Sequence, residues 1–285
     1  MTQMSPKVAI VTDSISSMTQ VMGRQYGVHV VPIHILFGTE AYRDGINLHA
    51  EQFYHLLNGS KRLPTTSQPT AADFLECYRG LVGKAEAIVS IHASQKVSAT
   101  VDSARIAAQE FRDIPIHVID TETLSMGQGL IVIAAAQAVA AGKSAQEIVH
   151  LTEALVRKTY VLFTVETLEY LRRGGRIGGA TALLGSALKI QPVLHIQDGR
   201  VEPLEKPRTR TRALARLLDL MSERVGTSER VHSAVLHCNV PDDAKRLAAQ
   251  IAARFKCVEL LTTEAGPTIG AHGGPGTIGV TFYAD

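Results

Sequence analysis

His272 stands in the stretch IGAHGGPGTIG (269–279), where five glycines and a proline surround one imidazole. Such backbone favours a tight loop over a regular helix or strand. Two readings follow: a surface histidine in a turn, or an imidazole presented to a ligand by backbone that approaches it closely. Hydroxyl partners are concentrated in PTTSQPT (64–70). There Thr70 reads as the N-cap of a helix beginning at Ala71, with Pro69 setting the turn. That leaves Thr65, Thr66 and Ser67 for a ligand. The stretch IHASQKVSAT (91–100) leaves a strand-like run and enters a helical pattern through polar residues, a place where helix N–H groups meet anions. Ser98 reads as a cap there, and Ser94, nearer the strand end, as the ligand candidate. TDSISS (12–17) occupies the same position after the first apolar run, where Ser14 or Ser16 serves equally well as a cap.

Charge gathers in two places. LRRGGRIGGATALLGSALKIQPVL (171–194) brackets Arg176 between the pairs Gly174-Gly175 and Gly178-Gly179, followed by a predicted helix rich in small residues. KPRTRTR (206–212) adds Lys206, Arg208, Arg210 and Arg212. The bland reading is a solvated face, the functional one a docking surface. Nucleotide and hydrolase signatures are missing: no GxxxxGK[ST], no GxGxxG after a strand, no HExxH and no GxSxG. The cysteines, Cys77, Cys238 and Cys257, are odd in number and widely spaced, which fits neither a zinc framework nor a disulfide scaffold and points to a reducing cytoplasm.

The elements that must hold these residues read as strands alternating with helices. Apolar runs at 8–12, 28–37, 86–92 and 116–120 predict strands. Segments 71–84, 98–111, 126–141 and 144–158 carry helical periodicity. The pattern implies a parallel sheet covered by helices over residues 1–160. From 161 to 285 a strand at YVLFTVET, a helix at LEYLRRGG and a hairpin about Asp198-Gly199 precede further βα units, so a mixed sheet is expected. The fold class is thus α/β in two domains, 1–160 and 161–285. At 285 residues with 45% hydrophobic and 20% charged composition the chain reads as globular, and a net charge of +2 argues against a nucleic-acid partner. Its longest apolar stretch, GLIVIAAAQAVAAG, is too short to span a bilayer of roughly 30 Å.

Taken together, VTDSISS, TTSQPT, SQKVSATVDSA, VIDTETLSMGQGL, the LRRGGRI segment, DGRVEPLEKPRTR and IGAHGGPGTIG resemble the DegV family, in family order along essentially the whole chain. The resemblance implies a long-chain fatty acid buried in the N-terminal domain, with no cofactor. It implies that the acyl carboxyl meets Thr65 or Thr66, Ser94 and His272. Many members have two adjacent serines where this chain has Ser94-Gln95, so Gln95 is implied to substitute through its amide or backbone N–H. The resemblance also implies a separate ATP-binding fatty acid kinase subunit that converts the presented acid to acyl phosphate for phospholipid metabolism. Arg173, Arg176 and Arg208 are its expected docking surface, with at most transient membrane contact. A chain of about fifteen methylenes contributes on the order of 12 kcal/mol of gross burial, enough to hold such a ligand through purification.

Two other classes compete. An acyl hydrolase or phosphotransferase would use His272 with a nearby threonine or serine and would turn over substrate alone. A nucleic-acid or regulatory module would use the arginines and bind with steep salt dependence.

Overall fold

The computed structural model describes residues 7–60, 62–185 and 190–285. The first half contains β1 (Val8–Asp13), α1 (Gln20–Tyr26), β2 (Val28–Val31), β3 (His34–Phe37), β4 (Glu40–Arg43), α2 (Ala50–Gly59), β5 (Thr65–Ser67), α3 (Ala71–Arg79), β6 (Ala87–His92), α4 (Thr100–Ala108), β7 (Ile116–Asp120), α5 (Met126–Ala140) and α6 (Ala145–Val156). The second contains β8 (Tyr160–Thr164), α7 (Glu169–Arg173), β9 (Val193–Gln197), β10 (Arg200–Glu205), α8 (Arg210–Val225), β11 (Arg230–His237), α9 (Pro241–Arg254), β12 (Lys256–Glu264), α10 (Pro267–Gly273) and β13 (Ile278–Ala284).

The β-branched runs form the expected parallel sheet, in order β2-β1-β6-β7, and its two central strands β1 and β6 are buried along their full length. Among the described residues the second half builds a six-stranded mixed sheet, β10-β9-β8-β13-β11-β12, in which β11 and β12 pair parallel and the other neighbours antiparallel. Its hairpin turns at Asp198-Gly199, both with left-handed φ (48° and 72°), as an Asp-Gly pair allows. Helix α5 is apolar on every side because it lies between the two sheets, against β1 and β6 on one and β8, β11 and β13 on the other.

Three sequence expectations need correction. The run 28–37 is two strands: Pro32, which has no N–H for a ladder, separates β2 in the parallel sheet from β3 in a small antiparallel sheet β4-β3-β5. The loop expected around His272 is a helix through Gly273, α10, so the imidazole comes from a helix's last turn. Ser98 does not cap α4; Ala99 holds the cap position, and the Ser98 hydroxyl pairs with Thr100 Oγ1 at 2.8 Å. Thr70 caps α3 as expected, in a reciprocal pair with Asp73. The predicted small-residue helix is a 3-10 helix over Gly178–Leu183, and its continuation at 186–189 lies outside the described residues.

One hydrophobic cluster crosses from half to half. It joins Ile10, Val89 and Leu130 to Ala234, Leu236 and Tyr283. Leu130 is fully buried at this junction. Leu130→Ala is therefore expected to cost about 2–5 kcal/mol in urea denaturation while leaving one cooperative transition for both sheets.

Candidate functional site

In the parallel sheet the chain leaves β1 toward β2 on one side and later returns to β6 on the other. The crevice of such a sheet opens at the carboxyl ends of the strands flanking that reversal. A cavity of about 90 Å³ lies there. Ile15 follows β1, Val97 and Ser98 follow β6, and Leu124 follows β7; Phe163, Leu171 and Ile269 close it from the second half. Its polar lining residues are Gln68, Ser98 and Thr268 together with Thr66, Arg176 and His272, the last three in contact through the Thr66–His272 pair and the Arg176 charge. Thr66, Arg176 and His272 also line an outer cleft of about 420 Å³ together with Arg62, Thr65 and Arg173. They form a partition, apolar within and basic without.

Each member of the partition has a local cause. β5 pairs with β3 so that Thr66 lies opposite Ile35, and strand alternation turns Thr66 inward while Thr65 and Ser67 face outward. His272 Nε2 lies 2.8 Å from Thr66 Oγ1, a contact across 206 residues of sequence. The ring's far edge packs on Gly174: a Cβ built there would lie 2.2 Å from His272 Nδ1 and 3.0 Å from the Tyr170 carbonyl oxygen. Only glycine leaves that seat. Arg176 is held half-buried by donating from Nε to the Val97 carbonyl (3.0 Å) and from Nη1 to the Gly174 carbonyl (2.7 Å).

Burial lowers the His272 pKa to about 4, with a smaller push in the same direction from the Arg176 charge. The imidazole is therefore neutral near pH 7, and its Nδ1 is a buried polar atom without a hydrogen-bond partner among the described residues. A neutral ring beside a guanidinium and a threonine hydroxyl is a chemistry that can accommodate an anion, with Thr66 and Arg176 as available donors.

The other sequence candidates occupy different places. Ser94 is buried, but its hydroxyl packs under Gly199 at the β9–β10 hairpin tip and accepts the Lys96 N–H at 3.2 Å; it does not line the cavity. Gln95 is exposed, its N–H donating to Asp120 Oδ2 and its Oε1 accepting from Arg105. Arg173 faces the outer cleft and pairs with Glu169. Arg208 is exposed in the turn before α8, outside both spaces.

A second polar constellation escaped sequence reasoning. Asp13 Oδ2 lies 2.8 Å from His92 Nδ1, His92 Nε2 lies 2.7 Å from Ser90 Oγ, and the Tyr78 hydroxyl donates to Ser90 at 2.8 Å. The order Asp–His–Ser is that of a hydrolytic relay. All four side chains are fully buried, so the relay has no substrate access. Its effect is structural: it ties the carboxyl ends of β1 and β6 together, with Gln128 of α5 donating to Asp13 and Thr12. The available signal was a histidine and a serine inside an otherwise apolar strand, EAIVSIH. Among the described residues no cluster of metal-ligating side chains occurs, and no helix is long and apolar enough to cross a membrane.

Comparison with known proteins places this architecture. Residues 7–285 match the family described as "Uncharacterised protein, DegV family". A DegV domain-containing protein of Halalkalibacterium halodurans is 38% identical over 280 residues, covering 98% of this chain and 99% of the relative. A solved Thermus thermophilus structure, described as fatty acid binding of a DegV family protein, superposes with a TM-score of 0.93 at 35% identity, over 98% of this chain and 100% of that one. DegV of Bacillus subtilis, described as a fatty acid binding protein, gives 0.91 at 31% identity, over 99% and 100%.

Two outcomes follow from the seat of His272. Gly174→Ala is expected to displace the ring and break the Thr66 contact at a cost of about 1–3 kcal/mol in stability, seen as a changed His272 imidazole NMR signal in a still-folded protein. The depressed His272 pKa also has a pH consequence. The unfolded chain binds a proton near pH 6.5 that the folded chain refuses until about 4. Its stability contribution is therefore complete above pH 6.5 and is lost as pH falls toward 4. In urea titrations across that window, His272→Gln should have the flatter stability profile.

Proposed function

This chain belongs to the DegV family, and from that premise we propose that it binds a long-chain fatty acid, its tail in the apolar cavity and its carboxyl at Thr66 and His272. The observation that carries this reading is the partition itself: a threonine–imidazole pair at 2.8 Å between an apolar cavity and a cleft lined by three arginines. Thr65 approaches the head group from the cleft side, and Ser94 with Gln95 supports it through the loop that also carries Val97. At about 90 Å³ the cavity is smaller than the roughly 150 Å³ apolar void known to admit benzene. A tail therefore has to part Ile15, Ile33 and Leu124 as it enters, and it gains burial against the cluster behind them.

The presented carboxyl is then the substrate of a separate ATP-binding kinase subunit. Arg173, Arg176 and Arg208 supply its docking surface, and the cleft arginines offset the phosphoryl charge. A carboxylate oxygen attacks the γ-phosphorus, ADP leaves, and an acyl phosphate forms. On this reading the chain contributes no catalytic group of its own.

The threonine–histidine contact also has the geometry of a nucleophile and its base, which favours the acyl hydrolase as a second reading. Two facts weigh against it. Burial makes His272 a poor base near neutral pH, and its Nδ1 lacks the third group that orients such a base.

Native mass spectrometry of the purified chain, followed by denaturing extraction, tests the proposal. A mass excess that resolves into free long-chain acids is expected. Thr66→Val and His272→Ala should each lower palmitate retention about tenfold or more while keeping the wild-type melting transition. Neither variant nor wild type should hydrolyse a long-chain acyl ester. An apo mass with no uptake of palmitate or oleate overturns the binding reading, and ester turnover that His272→Ala abolishes favours the hydrolase.

A further inference from the structure

Helix α10 begins without a cap of its own. Its N-cap is Gly266, which has no side chain, and Pro267 has no N–H. The cap comes from Asp44, 224 residues upstream: Oδ2 accepts the Thr268 N–H at 3.3 Å and also the Thr268 hydroxyl. Gly266 permits the approach, since a Cβ there would lie 2.9 Å from Asp44 Oδ1. Asp44 is itself fixed, its N–H donating to the Ile33 carbonyl at 2.9 Å, and it is 4% exposed. Its carboxylate faces the positive end of α10, and His272 sits in the last turn of that helix.

This arrangement is costly for mere structure. Asp44 is buried with two hydroxyls (Ser14 and Thr268), one amide and the more distant His49 as its stabilising neighbours, and burial raises its pKa to about 6. Asp44 lies at the wall of a cavity of about 630 Å³ whose other charged or titratable lining groups are Arg24, His49, Glu51 and Glu264. Tyr54, on α2, feels the Asp44 charge and donates to the Ala265 carbonyl beside the helix start.

We propose that Asp44 is a positioning residue for the head-group site: its ionised carboxylate clamps the first turn of α10 and so delivers the His272 ring to Thr66. The inference rests on the fatty-acid reading for what His272 does there. It has a consequence that a structural role lacks. Removing the charge relieves a buried carboxylate, so the fold keeps or gains stability while the site loosens.

The test compares full-length wild type with Asp44→Asn, which keeps shape and an acceptor without the charge, and Asp44→Ala, which removes the cap. Imidazole ¹⁵N signals of ligand-free protein, assigned with His272→Gln, read the ring directly. Palmitate dissociation from pH 5 to 8 reads the site. At pH 7.5 Asp44→Asn should melt no lower than wild type, show a shifted His272 signal and release palmitate about five- to tenfold more readily. The ratio of variant to wild-type dissociation constants should fall toward one at pH 5, where wild-type Asp44 is protonated. Asp44→Ala should be worse at every pH, and if it does not fold, Asp44→Asn alone decides. An unchanged His272 signal in Asp44→Asn, or a dissociation ratio that does not vary with pH, overturns the proposal. Failure of wild type to bind palmitate overturns the fatty-acid reading instead, and the imidazole signal still decides the role of Asp44.

Discussion

The 2.8 Å contact between Thr66 and His272 joins parts of the chain that nothing local brings together, and the surrounding architecture is arranged to keep it. On one side, the short strand β5 is fixed against β3, which aims Thr66 inward by alternation. On the other, a seven-residue helix made largely of poor helix formers carries the imidazole. That helix is gripped by residues from the first half, through Asp44 at its start and Phe53 packed against Gly270 in its middle. Gly174 receives the ring edge, and Arg176 ties the same glycine to the loop after β6. Each of these supports bears on the alignment of the pair from a different element.

The electrostatics follow from where this contact sits. Inside it the walls are mainly aliphatic and aromatic, with Gln68, Ser98 and Thr268 as polar exceptions; outside it are arginines. A charged imidazole at such a boundary would face Arg176 from a poorly solvated position, and burial together with that charge keeps the ring neutral near pH 7. The positive charge of the site therefore belongs to arginines that reach solvent, where it can meet an anion without being stranded in the core. The buried Asp13–His92–Ser90 chain illustrates the contrast: similar chemistry, enclosed completely, holds strands together instead of meeting a ligand.

Much of this was legible in the sequence. β-Branched runs separated by amphipathic segments specified the parallel sheet, and Asp198-Gly199 specified the hairpin, because these signals are local. The failures are equally physical. Pro32 divides an apolar run whose halves enter different sheets, which only sheet assignment reveals. EAYR and TTS are too short and polar to read as strands, and they pair only because β3 lies between them. α10 reads as a loop because its stability comes from distant groups and not from its own residues. Hydroxyl spacing singled out the TTS segment but not which threonine faces inward. Arg208 and Arg176 look alike in sequence, and only Arg176 is drawn to the cavity, by two carbonyls.

A crystal structure of the chain with palmitate bound would decide where the carboxyl sits. The carboxyl is expected within about 3 Å of Thr66 Oγ1 and His272 Nε2, with the tail leading away from the arginine cleft past Ile15, Ile33 and Leu124. A palmitate bound elsewhere, or one whose carboxyl lies away from the Thr66–His272 pair, would contradict that placement.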